Sequence, residues 1–326
     1  MTSNLQNRAG LAIGLILLGV AAISVNDMLI KRLSGGYPLH QIVFTRSAIG
    51  ILLGLVLVKL EGGLHLLKTR QPGLHLLRGL LIVISNMSFF LAIAALPLAE
   101  ATALFFAAPL FITLLSIPIL GEKVGPLRMS AVVVGFVGVV IMQRPWAGGD
   151  ALQASRLVLF LPVLAALTYA LNQLMTRKLG VSTKASVLSV YIQAVFIVVS
   201  LGFFVVAGDG RFVAGDSSAS LAFLLRAWVW PAQDDYLTFL GIGLNVALIG
   251  YCLSQAYRLG DAATVAPFEY IGLPLAVFWG FVIFGDLPVW EVWVGIALIL
   301  ASGLFVYLRE RQKALRVTRL QGGRRA

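Results

Sequence analysis

Three ionisable residues stand inside long apolar stretches of this 326-residue sequence: Asp27, Arg46 and Glu269. A charged side chain at bilayer depth costs free energy unless it is paired or lines a polar pathway, so each is a candidate for a functional site. Glu269 lies in the segment PFEY (267–270), and a carboxyl group held away from water suits proton exchange. We predict that Glu269 couples proton movement to function; the alternative is a Glu that only holds its helix to a neighbouring helix.

Asp27 and Arg46 are expected at similar depths in two successive helices. Asp27 lies about one turn from the end of its apolar stretch, and Arg46 lies seven residues into the next one. The two could form a salt bridge that fixes the first helix against the second, or they could contact a ligand. An Arg that faces a cavity would favour a carboxylate or phosphate on that ligand, because its guanidinium group donates in a planar fork.

The pattern around Asp27 occurs a second time in the chain. Residues 25–33 read VNDMLIKRL and residues 171–179 read LNQLMTRKL, about 146 residues apart. Asn26 aligns with Asn172, and both segments end with two basic residues and a leucine. Two copies of one helical unit are the simplest account of such a match.

The second copy carries different chemistry. Gln173 takes the place of Asp27, and Gln193 stands seven residues into its own apolar stretch, as Arg46 does. The sequence therefore predicts a charged pair in the first copy and an amide pair in the second. This asymmetry would favour one orientation of a bound substrate.

Further polar and aromatic residues within apolar stretches could contact a polar or ring-shaped solute. The possible hydrogen-bonding residues are Asn86, Tyr169, Asn245 and Tyr270, and the possible stacking residues are Phe89, Phe90, Phe105, Phe106, Phe268 and Trp279. The alternative for each is an interhelical contact or ordinary packing.

The elements that hold these residues are predicted from composition. The chain is 59% hydrophobic and only 12% charged, with a mean hydropathy of +0.93, which is typical of a protein dissolved in lipid. A membrane-spanning helix needs roughly 20 apolar residues. Ten runs meet this need, at about 10–30, 39–59, 74–95, 99–120, 127–143, 157–178, 186–207, 236–257, 263–284 and 290–308. We predict an all-α integral membrane protein with ten transmembrane helices.

The orientation follows from the Lys and Arg residues, which are enriched in cytoplasmic loops. Of 25 in the chain, 18 fall on one side, six on the other, and Arg46 within a helix. We therefore expect both termini in the cytoplasm. In the longest outer loop (208–235) the run LAFLLRAWVW (221–230) is too short to span, so we predict a helix lying at the interface with Trp228 and Trp230 at headgroup level.

The two copies are predicted to be inverted relative to each other. LAEA (98–101) matches LGDA (259–262), and GE (121–122) matches GD (285–286). Each copy then contains five helices, and an odd number places the second copy upside down, as in many secondary transporters. The expected organisation is a cytoplasmic N-terminus (1–9), a first repeat (10–143), a linker (144–156), a second repeat (157–308) and a basic cytoplasmic tail (309–326).

The segments ALPLAEATALFFAAPLFITLLSIPILGEKVG and AATVAPFEYIGLPLAVFWGFVIFGDLP resemble the EamA repeats of the drug/metabolite transporter superfamily. The resemblance covers about residues 8–310 and implies the ten-helix, two-repeat fold. Members of that superfamily move amino acids, S-adenosylmethionine, riboflavin, sugars and other metabolites in either direction. The glutamate that usually ends the fourth and ninth helices is Glu122 in the first repeat and Asp286 in the second.

The expected function is therefore a secondary transporter of a small organic metabolite in a bacterial-type inner membrane, working by alternating access with proton coupling as an option. Export of an amino acid or similar metabolite is the favoured hypothesis, and import of a riboflavin- or S-adenosylmethionine-type compound is the alternative. A polytopic membrane enzyme or lipid-handling protein is the hypothesis from another class.

Several partners and cofactors are not expected. The sequence contains no GxxxxGK[ST] phosphate loop and no HExxH motif, so neither an ATPase subunit nor catalysis by this chain is implied. The single Cys252 and three dispersed His residues do not form a metal site, and no cofactor is predicted. The net charge of +11 comes from cytoplasmic loops and the tail, which favours contact with anionic lipids over nucleic acid. A monomer or homodimer would suffice.

Overall fold

The computed structural model describes residues 2–69, 71–122, 124–146, 156–179, 184–213, 217–259 and 266–322, and within these ranges it is helical with no strands. Nine helical segments of the described residues are long and apolar enough to cross a bilayer, and the segment Phe268–Phe284 is a shorter apolar helix. The prediction of ten membrane segments is confirmed at this level, and the protein is a multi-pass membrane protein.

The helices follow the predicted runs closely. The first half contains α1 (Thr2–Leu33), α2 (Leu39–Glu61), α3 (Pro72–Ile93), α4 (Leu98–Phe105), α5 (Ala108–Leu120) and α6 (Pro126–Gln143). The second half contains α7 (Arg156–Leu179), α8 (Ala185–Ala207), α9 (Ala219–Leu225), α10 (Tyr236–Leu259), α11 (Gly272–Phe284) and α12 (Trp290–Gly322). Most of the predicted 144–156 linker lies outside the described residues.

One predicted helix is interrupted. The run 99–120 forms α4 and α5, with a break at Phe106 and Ala107. Pro109 in the first turn of α5 has no backbone N–H, so the carbonyl of Phe105 loses its usual helical donor. The chain tightens there, with Ala107 N donating to the Leu104 carbonyl at 3.1 Å.

The matching segment of the second half is also irregular. A 3-10 turn covers Ala266–Ile271 and leads directly into α11. Non-helical backbone at membrane depth is tolerated only where protein or a polar cavity surrounds it. Discontinuous helices in corresponding positions of two repeats indicate the binding region of a transporter.

Helices of the first half pack on helices of the second half in symmetric pairs, as an inverted repeat requires. α1 packs on α10 as α7 packs on α3, while α2 packs on α8, α6 on α12, and α4 on α11. Hydrogen bonds repeat this exchange: Asn245 of α10 donates to the Ala22 carbonyl of α1 at 2.7 Å, and Ser85 of α3 donates to the Ala165 carbonyl of α7 at 2.8 Å. The substrate region of such a fold lies between the halves.

The segment after α8 folds over one end of the bundle, which we call the Lys31 end; the opposite end is the Glu61 end. The prediction of a helix over 221–230 was only partly correct, because α9 ends at Leu225. Trp230 is 84% exposed, as an interfacial residue should be. Trp228 instead packs against the buried His40 ring at 5.9 Å.

Side chains at the start of α2 hold this segment in place. Gln41 donates to the Val229 carbonyl at 2.6 Å and accepts from Val229 N at 3.2 Å. Tyr37 donates to Asp235 at 2.6 Å, and its burial, together with this bond, raises the pKa of the Tyr37 hydroxyl. The phenol therefore stays a donor at physiological pH.

Close helix crossing at Gly295 gives a first testable prediction. A Cβ atom on Gly295 of α12 would overlap the Met142 side chain and would lie 3.0 Å from the Gly138 carbonyl of α6. The variant Gly295→Leu should force the two helices apart and abolish the monodisperse peak in size-exclusion chromatography. Gly202→Leu is the control, since nothing lies within 4 Å of that position. Equal profiles for both variants would contradict the close crossing.

Candidate functional site

Polar and aromatic side chains from both halves meet where the helices are interrupted. We call this set the central cluster: Asp27, Arg46, Phe89, Phe90, Phe105, Phe106, Tyr169, Gln173, Phe196, Glu269 and Tyr270. Its members come from α1, α2, α3, the end of α4 and the break after it, α7, α8 and the 266–271 turn.

Arg46 is held by two aromatic rings. Its guanidinium carbon lies 4.9 Å from the centre of the Phe90 ring and 5.1 Å from that of Phe196. The residue is 5% exposed and makes no hydrogen bond or ion pair within the described part of the chain. Cation–π attraction therefore fixes the guanidinium plane without using its N–H groups.

Asp27 lies near Arg46 but does not form a direct ion pair with it. One carboxylate oxygen of Asp27 accepts from Asn26 at 3.1 Å. The Arg46 charge attracts this carboxylate electrostatically, yet no ion pair among the described residues joins the two side chains. The hypothesis of a salt bridge between α1 and α2 is thus not realised in this conformation.

A line of rings connects Arg46 to α7. The centroids of Phe89 and Phe90 are 6.0 Å apart, those of Phe89 and Phe105 5.3 Å, and those of Phe105 and Tyr169 5.6 Å. The Tyr169 hydroxyl accepts from Gln173 at 2.8 Å. The line ends in a polar pair that could hydrogen-bond a solute lying against the rings.

Glu269 lies in the 3-10 turn on the other side of Tyr169. It is partly buried and close enough to interact electrostatically with Tyr169 and Tyr270. The Tyr270 ring packs on Phe106 at 5.4 Å, and its hydroxyl fills the space beside Gly303 of α12. Glu269 thus lies beside Tyr169 of α7 and Tyr270, and Tyr270 in turn packs on the α4–α5 break and on α12.

The central cluster borders internal space. Asp27, Phe105, Tyr169, Gln173 and Glu269 lie where α1, α4, α7 and the 266–271 turn pack on other helices, yet each keeps part of its surface accessible to solvent. We interpret this shared accessible surface as the lining of a space between the helices. The arrangement can therefore hold a solute that offers both a ring face and hydrogen-bonding groups.

The remaining candidates lie outside the central cluster. Asn86 donates to its own helix at the Ile82 carbonyl, at 3.0 Å, and Asn245 ties α10 to α1. Asn172 is buried on α7. These positions fit the alternative of helix-to-helix or local contacts.

The expected amide pair does not form. Gln173 bonds to Tyr169, whereas Gln193 of α8 lies against Gly50 of α2, where a methyl group would come within 3.3 Å of its Nε2. Equal depth along two helices does not fix the direction in which each side chain projects, and here the two amides project toward different neighbours.

Phe196 is a cluster residue that the sequence did not predict. It stands in the largely apolar α8, where its residue type does not distinguish it from packing residues. Only its position in the structure distinguishes it, because the Phe196 ring packs on the Arg46 guanidinium group together with the Phe90 ring.

The Lys31 end is closed by polar contacts. Lys31 donates to the Leu96 carbonyl at 2.5 Å and lies 3.6 Å from Asp286, which joins α1, the α3–α4 turn and the end of α11. Glu100 of α4 and Arg144 after α6 form a second ion pair of 2.6 Å. Both tie elements of the bundle together across this end.

The other half of the bundle contains a lateral cleft. It opens between α2, α8 and α10 and has a volume of about 100 Å³. Its wall runs from Gly50 to the polar groups Glu61, Ser186 and Gln255. The cleft thus extends toward the Glu61 end of these three helices. No cluster of metal-ligating side chains occurs among the described residues.

Comparison with known proteins agrees with this architecture. A model of the EamA-like transporter family matches residues 10–144. The riboflavin transporter of Rhizobium johnstonii is 31% identical over 305 residues, covering 93% of this chain and 92% of that protein. The S-adenosylmethionine uptake transporter of Rickettsia prowazekii is 26% identical, covering 91% of this chain and 92% of that protein.

A protein of known crystal structure shares the fold. It superposes with a TM-score of 0.60 at 19% sequence identity, over 94% of this chain and 97% of its own. Full-length similarity to a curated transporter, the family match in the first half and the exchanged helix packing all agree with the resemblance seen in the sequence. The chain belongs to the EamA-like transporter family of the drug/metabolite transporter superfamily.

Proposed function

We propose that this transporter is a secondary carrier for riboflavin or a closely similar flavin, with the central cluster as its substrate site. The observation that carries the proposal is the line of rings Phe89–Phe105–Tyr169, which ends in the Gln173 amide and borders internal space. A flavin offers a large planar face for such rings and several hydrogen-bonding groups at its edges. The 31% identity to a riboflavin transporter supports the same substrate class.

Alternating access is the proposed mechanism. Closure at the Lys31 end and a cleft in the Glu61 half are typical of a carrier opened toward one side. The distribution of Lys and Arg predicts cytoplasmic termini, and in that orientation the Lys31 end would face outward and the Glu61 end would face the cytoplasm. Rocking of one half against the other would close the Glu61 end and open the Lys31 end.

Uptake is the proposed direction, which differs from the export hypothesis favoured on sequence alone. The S-adenosylmethionine uptake transporter of Rickettsia prowazekii matches nearly the whole chain, which supports uptake. A proton gradient acting through Glu269 is the proposed driving force.

S-adenosylmethionine is the second candidate substrate. The Rickettsia relative takes it up, and its adenine ring would also suit the ring line of the central cluster. It differs from a flavin by its amino-acid group and positive sulfonium.

Counterflow in proteoliposomes tests the proposed function. Vesicles preloaded with unlabelled riboflavin should take up labelled riboflavin rapidly when they contain the protein, and vesicles containing the Gly295→Leu variant should not. Chromatography of the recovered label should show unchanged riboflavin, because a carrier moves its substrate without altering it. Counterflow with S-adenosylmethionine alone would favour the second candidate, and chemical conversion of the label would favour the enzyme hypothesis.

A further inference from the structure

Asp27 and Arg46 place one acceptor group and one donor group within electrostatic range of each other, but beyond the 4.0 Å of a direct ion pair. The two side chains attract each other without the direct ion pair that such neighbours usually form. Each is held by another partner, Asp27 by Asn26 and Arg46 by the rings of Phe90 and Phe196. The gap between them is therefore maintained by the surrounding structure.

Arg46 and Asp27 both have polar atoms that are accessible to solvent and could hydrogen-bond a ligand. Within the described part of the chain, the only nitrogen of Arg46 that is sealed from solvent without a partner is Nε. Its two terminal nitrogens therefore border accessible space. One Asp27 oxygen receives the Asn26 bond, and the partial exposure of Asp27 leaves the other free to accept. A guanidinium group more than nine-tenths buried needs hydrogen-bond acceptors to offset its desolvation.

The edge of the flavin pyrimidine ring has the complementary pattern. It presents a carbonyl oxygen, an imide N–H and a second carbonyl oxygen in a row. We propose that Asp27 accepts the imide N–H while Arg46 donates to a neighbouring carbonyl oxygen, so that this pair selects flavins with an unsubstituted imide. The inference rests on the proposed function, because it assigns a part of the flavin to a part of the same site.

The placement is consistent with the rest of the central cluster. Phe90 is fully buried beneath Arg46, so the flavin edge would lie beyond the guanidinium group, and the fused rings would extend toward Phe105 and Tyr169. Asp27 and Arg46 would thus hydrogen-bond the edge of the flavin ring system, and Phe105 and Tyr169 would pack against its face.

Riboflavin and 3-methylriboflavin form a matched pair of probes. The methyl group removes the imide hydrogen and leaves the carbonyl oxygens in place. The wild-type protein should exchange riboflavin roughly 10- to 100-fold faster than the methyl analogue in counterflow, the ratio expected for one lost charge-assisted hydrogen bond. Asp27→Ala should slow riboflavin to about the rate of the analogue and bring the ratio of the two rates close to one.

Asn86→Ala is the matched control, since Asn86 bonds only to its own helix, and it should keep the wild-type ratio. Arg46→Lys, which retains the charge but not the planar fork, should raise the KM for both probes and preserve their ratio. Equal rates for the two probes in the wild type, or an unchanged ratio in Asp27→Ala, would overturn the assignment while leaving flavin transport intact. Exchange of S-adenosylmethionine with no riboflavin exchange would overturn the assignment and the flavin proposal together.

Discussion

Transporters carrying Glu269→Gln should still exchange riboflavin by counterflow but should fail to accumulate it when a pH gradient is imposed. Glutamine keeps the size and hydrogen-bonding shape of the side chain next to Tyr169 and Tyr270, yet it cannot take up and release a proton. Counterflow needs no proton movement, whereas accumulation against a gradient does. The variant therefore separates binding and conformational change from coupling.

The measurement is uptake into proteoliposomes with an acidic exterior, compared with uptake at equal pH on both sides. Wild-type vesicles should accumulate riboflavin only with the gradient, and the variant should show the same low level in both conditions. Asp234→Asn, which changes an exposed acid, should behave as the wild type. Persistent gradient-driven accumulation in Glu269→Gln would exclude Glu269 as the coupling group.

Breaking the Glu100–Arg144 pair should cause a large loss of stability. The side chain of Glu100 is 5% exposed, and its distance of 2.6 Å from Arg144 indicates a strong charge-assisted bond. Removing one member of a buried pair costs about 3–5 kcal/mol, because the other charge is left without compensation. Glu100→Gln should therefore lower the thermal unfolding temperature in detergent by several degrees.

The exposed pair Arg211–Asp209 is the internal control. Its atoms are 3.7 Å apart and its side chains are 57% and 61% exposed, so Asp209→Asn should leave the unfolding temperature nearly unchanged. The double variant of Glu100→Gln with Arg144→Met should recover part of the lost stability, since it removes the orphaned charge as well. Equal shifts for the buried and exposed variants would show that the Glu100–Arg144 pair is not a stabilising contact.

Most of the fold could be predicted because lipid imposes strict conditions on sequence. Each spanning helix must be long and apolar, and the repeated segments at 25–33 and 171–179 reveal the two copies. The break within 99–120 could not be predicted in the same way. Pro109 coincides with it, but Pro118 and Pro162 lie inside continuous helices, so a proline in an apolar run does not by itself end a helix.

The sequence could identify the ionisable residues of the candidate site. It could not predict which neighbour a side chain faces, because this depends on how each helix is rotated about its axis. Asp27, Arg46 and Glu269 stand out because ionisable groups are rare at this depth. The expected Gln173–Gln193 pair was wrong because sequence gives the depth of a residue more securely than the neighbour it faces. Phe196 could not be predicted as a site residue, because the chain contains many aromatic residues and only the structure shows that this one packs on Arg46.

The exchanged packing of the two halves has a consequence for the energetics of the transport cycle. In the proposed alternating-access cycle, the interactions that one repeat gives up would be formed by its counterpart, so the energies of equivalent interactions would cancel between the inward- and outward-facing states. The residual difference must come from positions where the copies differ, such as Asp27 against Gln173 and Arg46 against Gln193. Side chains that differ between the two copies would therefore set the side toward which the empty carrier rests, and they can change without altering the fold.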